Sequence, residues 1–124
     1  NKKEYVNYVL DDTTHIQENK IFTHVMSLAD ISLGFDVRNN NSFFAGVKVE
    51  IKKRPKFKNL CIVYKTKVIG TFSAPFQAIL NEKFNIGYSI DDVVIENVVV
   101  WFDKDNNRYL KHPLCKIVLK KIAI

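Results

Sequence analysis

The residues of this sequence most capable of chemistry are carboxylates, histidines and thiols, and their spacing decides what they can do. Asp103, Asp105 and Asn107 imitate the opening of a calcium-binding loop, in which alternate oxygen side chains converge on a hard cation. Arg108 then stands where the sharp turn needs glycine, and Leu114 stands where the bidentate glutamate should close the site. A polar turn is the expectation for this segment, since Asp and Asn side chains bond their own backbone. His15, His24 and His112 show no ligand spacing, so no metal is expected. The carboxylate pairs Asp11-Asp12 and Asp91-Asp92 are sequence neighbours at segment ends. A general acid–base pair needs two carboxyls in different environments facing one cleft, and adjacency provides none.

Nucleophilic chemistry is equally unsupported. No serine lies in a G-x-S-x-G elbow, and the glycines form no phosphate-cradling loop. Cys61 sits among apolar residues, where desolvation raises a thiol pKa and leaves it inert. Cys61 and Cys115 are compatible with two buried thiols, one disulfide or one of each, buried thiols being the default for apolar-flanked cysteines. Neither forms a CxxC pair. The expectation is a protein that is not an enzyme, with no cofactor and no small-molecule substrate.

The strongest local feature is cationic. Lys52, Lys53, Arg54, Lys56 and Lys58 surround Pro55 and Phe57, and Lys65 and Lys67 follow. Such a cluster can meet phosphates or an anionic surface while Phe57 stacks on a base or enters a lipid interface. It can equally be a solvated hairpin tip whose lysines discourage strand aggregation. Lys116, Lys120 and Lys121 would extend it only if the last strand lies alongside. Asn40-Asn41-Ser42 is a glycosylation sequon, which matters only in a luminal or extracellular setting.

The elements that must carry these groups follow a period of two. Ile31, Leu33, Phe35 and Val37 alternate with polar residues or glycine, as do Val47, Val49 and Ile51, and Asn39–Ser42 lies between. That pattern predicts a β-hairpin. Further strands are expected over 20–28, 59–64, 67–72 and 116–124. The valine-rich run 93–102 reads as a central strand buried on both faces. Residues 2–10 fit a strand or a short helix. Near 75–84, Phe76, Ile79, Leu80 and Phe84 share a helical stripe with Pro75 at a first-turn position, which fits one short helix or an extended connection between the two sheets. Turn-separated strands every ~8–12 residues point to an all-β sandwich or barrel.

Length and composition bound the rest. The 124 residues suit a single domain over 1–124, and 47% apolar with 26% charged residues is globular rather than disordered composition. No apolar run approaches the roughly 20 residues of a membrane-spanning helix. The chain opens on Asn1 rather than methionine, as a processed piece does, so compartment stays open. A net charge of +6 favours an acidic partner, whether nucleic acid, anionic lipid or an acidic protein face. The cations are mostly lysine, with Arg38, Arg54 and Arg108 the arginines, which argues against specific base readout.

One order of features resembles a known family. Phe35 to Asn41, Gly46 to Ile51, Tyr64 to Gly70 and Ala74 to Gln77, followed by a valine-rich strand, Tyr109 and Cys115, is similar to the group 2 late embryogenesis abundant domain. The similarity spans about residues 21–119. It departs from the family in lacking proline in the asparagine turn, in the lysine-rich insertion 52–58 and in the second cysteine, Cys61. The resemblance implies an immunoglobulin-like antiparallel sandwich of about seven strands, luminal or extracellular placement, and lipid or protein contacts without catalytic residues. The expected function is therefore a binding or assembly module presenting a basic edge to anionic membrane or protein. Nucleic-acid binding, or a structural role in a viral or secreted assembly, are the alternatives.

Overall fold

The computed structural model describes residues 19–32 and 43–122. Among the described residues there are six strands in two antiparallel sheets, with one α-helix. The elements are β1 (Asn19–Val25), β2 (Glu50–Lys52), β3 (Cys61–Tyr64), β4 (Lys67–Thr71), α1 (Ala74–Asn85), β5 (Ser89–Asp103) and β6 (Arg108–Ile122). A 3-10 turn, Leu28–Asp30, follows β1. One sheet has the order β1-β6-β5, the other β2-β3-β4.

Two seams join the sheets. Gly46 N–H donates to Ile95 O at 2.8 Å, Val49 N–H donates to Val93 O at 3.1 Å, and Lys48 bridges Val94 between them. On the other side, Ser32 N–H donates to Thr71 O at 2.7 Å and Ile31 bridges Phe72. Gly70 lies where this second seam closes, and a Cβ there would come within 2.9 Å of Ile31 Cδ1, so the Ile31 side chain would have to move aside. The core lies between the sheets and α1, with Phe72, Phe76, Leu80, Ile95, Ile117 and Leu119 fully buried.

Of the two readings open for 75–84, the segment takes the helical one. Ser73 caps it, its Oγ accepting from Phe76 N–H at 3.4 Å, and Pro75 occupies the first turn, where no intrahelical N–H partner is needed. Ser73 Oγ also donates to Ala29 O at 2.8 Å, which ties the helix start to the turn after β1. Phe76 and Leu80, one turn apart, enter the core, whereas Ile79 on the predicted stripe stays 41% exposed. Gly87 ends the helix at φ +104, a left-handed value that glycine adopts without strain.

Other expectations change. The predicted hairpin turn 39–42, and most of its first strand, lie outside the described residues. Within them, Ile31 and Ser32 pair with β4, and the segment 46–52 divides its hydrogen bonds between β5 and β3. The run 93–102 is not buried on both faces. It belongs to a 15-residue strand whose inner part, Val93 and Ile95, is buried while Val100, Trp101 and Phe102 are exposed. The last strand begins at Arg108, so β5 and β6 form one long hairpin.

Candidate functional site: a basic loop and an apolar arm

The basic cluster begins at the end of β2 and fills the loop 53–60 leading into β3. Lys52 pairs with Cys61 across the two strands, so the loop closes a hairpin. Pro55 lies at the second position of a turn in which Phe57 N–H donates to Arg54 O at 3.2 Å. The Arg54 guanidinium lies 3.6 Å over the Phe57 ring, and its Nη2 donates to Thr71 Oγ1 at 3.0 Å. Lys53 Nζ donates to the carbonyls of Arg54 and Phe57. The loop's root is equally tied: Leu60 N–H donates to Gln77 Oε1 at 2.7 Å and Asn59 Nδ2 to Phe72 O at 3.1 Å. Lys53 and Arg54 therefore hold the loop, while Lys56 and Lys58 are presented from it.

Lys65 and Lys67 do not join this group. They flank the β3–β4 turn, where Lys65 and Thr66 take the left-handed values φ 50 and φ 68. The length of β3 separates that turn from the loop, about 13 Å at ~3.3 Å per residue. The β6 lysines are also kept apart. A groove of about 290 Å³ lies between Lys48–Lys52 and Ile90–Val93. Its acidic side is engaged by cations, Asp92 by Lys48 at 3.5 Å and Asp91 by Lys120 at 3.6 Å. Negative charge on the start of β5 thus interrupts the row from Lys52 to Lys120.

The cysteines are both free and buried. Cys61 lies in β3 and donates to Lys52 O at 3.4 Å; burial pushes its thiol up, partly opposed by the Arg54 charge. Burial pushes Cys115 up to about 12. Thiolate formation is suppressed at both sites, so a thiol reagent should label neither in the native protein at pH 7. Unfolding without reductant should expose two reactive thiols per chain, and finding none would mean a disulfide.

Asp103, Asp105 and Asn107 form the β5–β6 turn. Asn106 Nδ2 donates to Asp103 Oδ2 at 2.9 Å, and this bond, with Arg108 3.3 Å away, holds the Asp103 carboxyl below the usual range. Among the described residues, no group of three or more His, Cys, Asp or Glu is placed to hold a metal ion. None of their helices is long and apolar enough to cross a membrane. His24 Nε2 meets Asp30 Oδ2 at 2.9 Å, stacked on Phe76. Asn40, His15, Arg38 and Asp11-Asp12 lie outside the described residues.

Sequence reasoning missed the second surface. Beyond Val99 the tip of the β5–β6 hairpin is an arm on which Val100, Phe102 and Tyr109 share one face and are 56%, 42% and 69% exposed. Phe102 and Tyr109 pack edge to face at 5.1 Å. At the arm's root on that face, Lys111 Nζ donates to Phe43 O at 2.6 Å, beside the exposed Phe44. Trp101 lies on the opposite face, stacked on buried His112 at 6.1 Å. The available signal was the aromatic run ending directly in a charged turn, where a buried strand would have ended in a polar taper.

No protein-family model, no curated protein and no solved structure matches this chain.

Proposed function

We propose that this domain is a non-catalytic binding module whose basic loop docks on an acidic surface, anionic lipid or an acidic protein face. The observation that carries the reading is the Arg54–Phe57 stack at 3.6 Å, fastened to Thr71. It orders the loop before any partner arrives, so the presented lysines lose less conformational freedom on docking. Phe57 keeps 48% of its surface exposed beside Lys56 and Lys58, an apolar contact between two charges.

Magnitude limits the affinity. A lysine near an anionic surface contributes about 1 kcal/mol, so Lys52, Lys56 and Lys58 supply roughly 3 kcal/mol, weaker than a millimolar complex. Tight binding therefore needs Phe57 or a second point of attachment. Single-stranded nucleic acid is the second reading, favoured by the exposed part of the Phe57 ring. The finer fold reading belongs to the same proposal: an immunoglobulin-like sandwich in a luminal or extracellular setting, supported by the two antiparallel sheets around one core and opposed by the seams that join them.

The test is a titration of the domain against phosphatidylserine vesicles, neutral vesicles, an acidic polypeptide and single-stranded DNA, at low and physiological salt. The variant is Lys52→Gln/Lys56→Gln/Lys58→Gln, which leaves the loop-holding Lys53 and Arg54 in place. We expect binding to the acidic probes with affinity reduced at least tenfold in the variant, circular dichroism being unchanged. Binding confined to DNA would select the second reading. Equal binding by variant and parent would remove the loop from the function.

A further inference from the structure

We propose that Lys20, Lys83 and Lys121 form an anion site for a phosphate monoester, where the C-terminal end of α1 meets the end of the β1-β6-β5 sheet. The strand register puts Lys20 directly opposite Lys121. Side chains so placed leave the same face of the sheet, their Cβ atoms about 4.5–5.5 Å apart. Phe22, two residues on in β1, shares that face. Lys83 reaches it from α1, its Nζ lying 4.3 Å from the centre of the Phe22 ring. Tyr88, between the helix and β5, completes the group. Lys83 Nζ stands 5.4 Å from the centre of its ring and Lys121 Nζ 5.9 Å.

This charge is not neutralised by the protein. Among the described residues, no carboxylate pairs with Lys20, Lys83 or Lys121. Glu82 adjoins Lys83 in the helix but pairs with none of the three, and Asp91 is engaged by Lys120 at 3.6 Å. Like charges directly opposite one another on a sheet are destabilising, and a third cation above them adds to the repulsion. The aromatic rings do not discharge the lysines. They hold the ammonium groups in place through their π faces, and each ammonium keeps N–H donors for a ligand. The helix end makes no competing demand: the Lys83 carbonyl accepts from Ile86 and Tyr88 N–H, and the Phe84 carbonyl from Gly87 N–H.

Charge and donor count select a phosphoryl group. A phosphate monoester carries about −1.5 to −2 charges at pH 7 and three strong acceptor oxygens, one for each ammonium. A carboxylate brings one charge and two oxygens, and leaves the third lysine unmatched. A nucleobase is a poor occupant, because Lys83 already lies over both rings on which it would stack. The phosphoryl group can belong to a soluble ester or to a lipid headgroup. The site is distinct from the basic loop, although Lys52 lines one groove with Ile90, two residues from Tyr88. On a membrane, a lipid phosphate held here supplies a second attachment beside the loop. That consequence rests on the docking of the loop, whereas phosphate binding does not.

Titration of the full chain at constant ionic strength tests this, with soluble inositol trisphosphate and with vesicles carrying phosphatidylinositol bisphosphate as probes. We expect saturable binding of inositol trisphosphate. Lys83→Gln/Lys121→Gln should weaken it at least tenfold, with native circular dichroism. Should that variant lose its fold, Lys20→Gln is read instead, since Lys20 is exposed; it should weaken binding at least threefold. Inorganic phosphate should also raise the melting temperature of the parent more than chloride does at equal ionic strength, and Lys20→Gln should at least halve that difference. The Lys52→Gln/Lys56→Gln/Lys58→Gln variant should bind inositol trisphosphate within twofold of the parent, which separates this site from the basic loop. Vesicle binding at least tenfold tighter than the soluble probe, and lost in Lys83→Gln/Lys121→Gln, would assign the ligand as a lipid headgroup; equal binding would assign a soluble phosphate ester. No saturable binding of inositol trisphosphate up to roughly 1 mM, the scale of a weak complex, would overturn the proposal. So would binding that the loop variant loses and Lys83→Gln/Lys121→Gln keeps.

Discussion

Phe76→Ala should lower the unfolding free energy by about 3–5 kcal/mol, the range for removing a fully buried phenylalanine ring. Phe76 is 0% exposed and stands where three elements meet. Its ring packs edge to face on Phe72 at 5.1 Å and stacks on His24 at 4.8 Å. His24 is itself held by Asp30 at 2.9 Å, whose second role is to accept from Ser27 N–H at 3.0 Å. Ser73, three residues before Phe76, bonds both Asp30 O through its N–H and Ala29 O through its Oγ. These contacts fix the walls of the Phe76 pocket, so collapse into the cavity is restricted and the cost falls at the upper end. Small domains hold only about 5–15 kcal/mol in all. Denaturant unfolding followed by circular dichroism checks this, with Ile79→Ala as control. Ile79 lies on the same helix but is 41% exposed, and should cost under about 1 kcal/mol. A loss below about 1.5 kcal/mol for Phe76→Ala would contradict the packing of α1 on the core.

Stability should also fall as pH drops from about 6.5 toward 5, and His112 is the group responsible. It is 1% exposed, and neither ring nitrogen has a hydrogen-bond partner among the described residues. Burial holds its pKa below the ordinary histidine value, so the folded chain keeps the ring neutral. The unfolded chain protonates near the unperturbed value of about 6.5. As pH falls past that point the unfolded state takes up a proton that the folded state refuses. The contribution is complete above the unfolded value and is lost on descending through the folded one, about 1.4 kcal/mol for each pH unit between the two. His112→Leu should flatten this part of the profile. It should also stabilise the protein at pH 5, by about 1–3 kcal/mol, because a buried unpaired polar group is replaced by an apolar one. Trp101, the single tryptophan and the ring stacked on His112, reports the transition by fluorescence. Asp103 acts in a separate window: its lowered pKa yields stability that is lost only as pH falls through the carboxylate range. Identical pH profiles for parent and His112→Leu would assign the acid sensitivity to other groups.

Local signals account for what was legible in the sequence. The period-two segments, Pro75 at a helix start, the Phe76–Leu80 spacing and the polar turn at 103–107 each depend on residues within a few positions of one another. The β-rich class, the single helix and the turn follow from them, since propensity, capping and turn chemistry are decided locally. The charge excess is likewise a property of composition.

What the tertiary structure decided concerns neighbours far apart in the chain. Segment 46–49 bonds to β5 across more than forty positions, a pairing that no local pattern signals. The cation cluster looks continuous in sequence, yet β3 carries Lys65 and Lys67 to its far end, and Thr71 in β4 takes Arg54. The valine-rich run has the composition of a buried strand along its whole length. Val93 and Ile95 are buried in the core and Val98 and Val99 pack against it, whereas Val100, Trp101 and Phe102 lie beyond its reach and stay exposed. Apolar composition determines that a strand will form; burial depends on which remote element arrives to cover it, and that is set by packing alone.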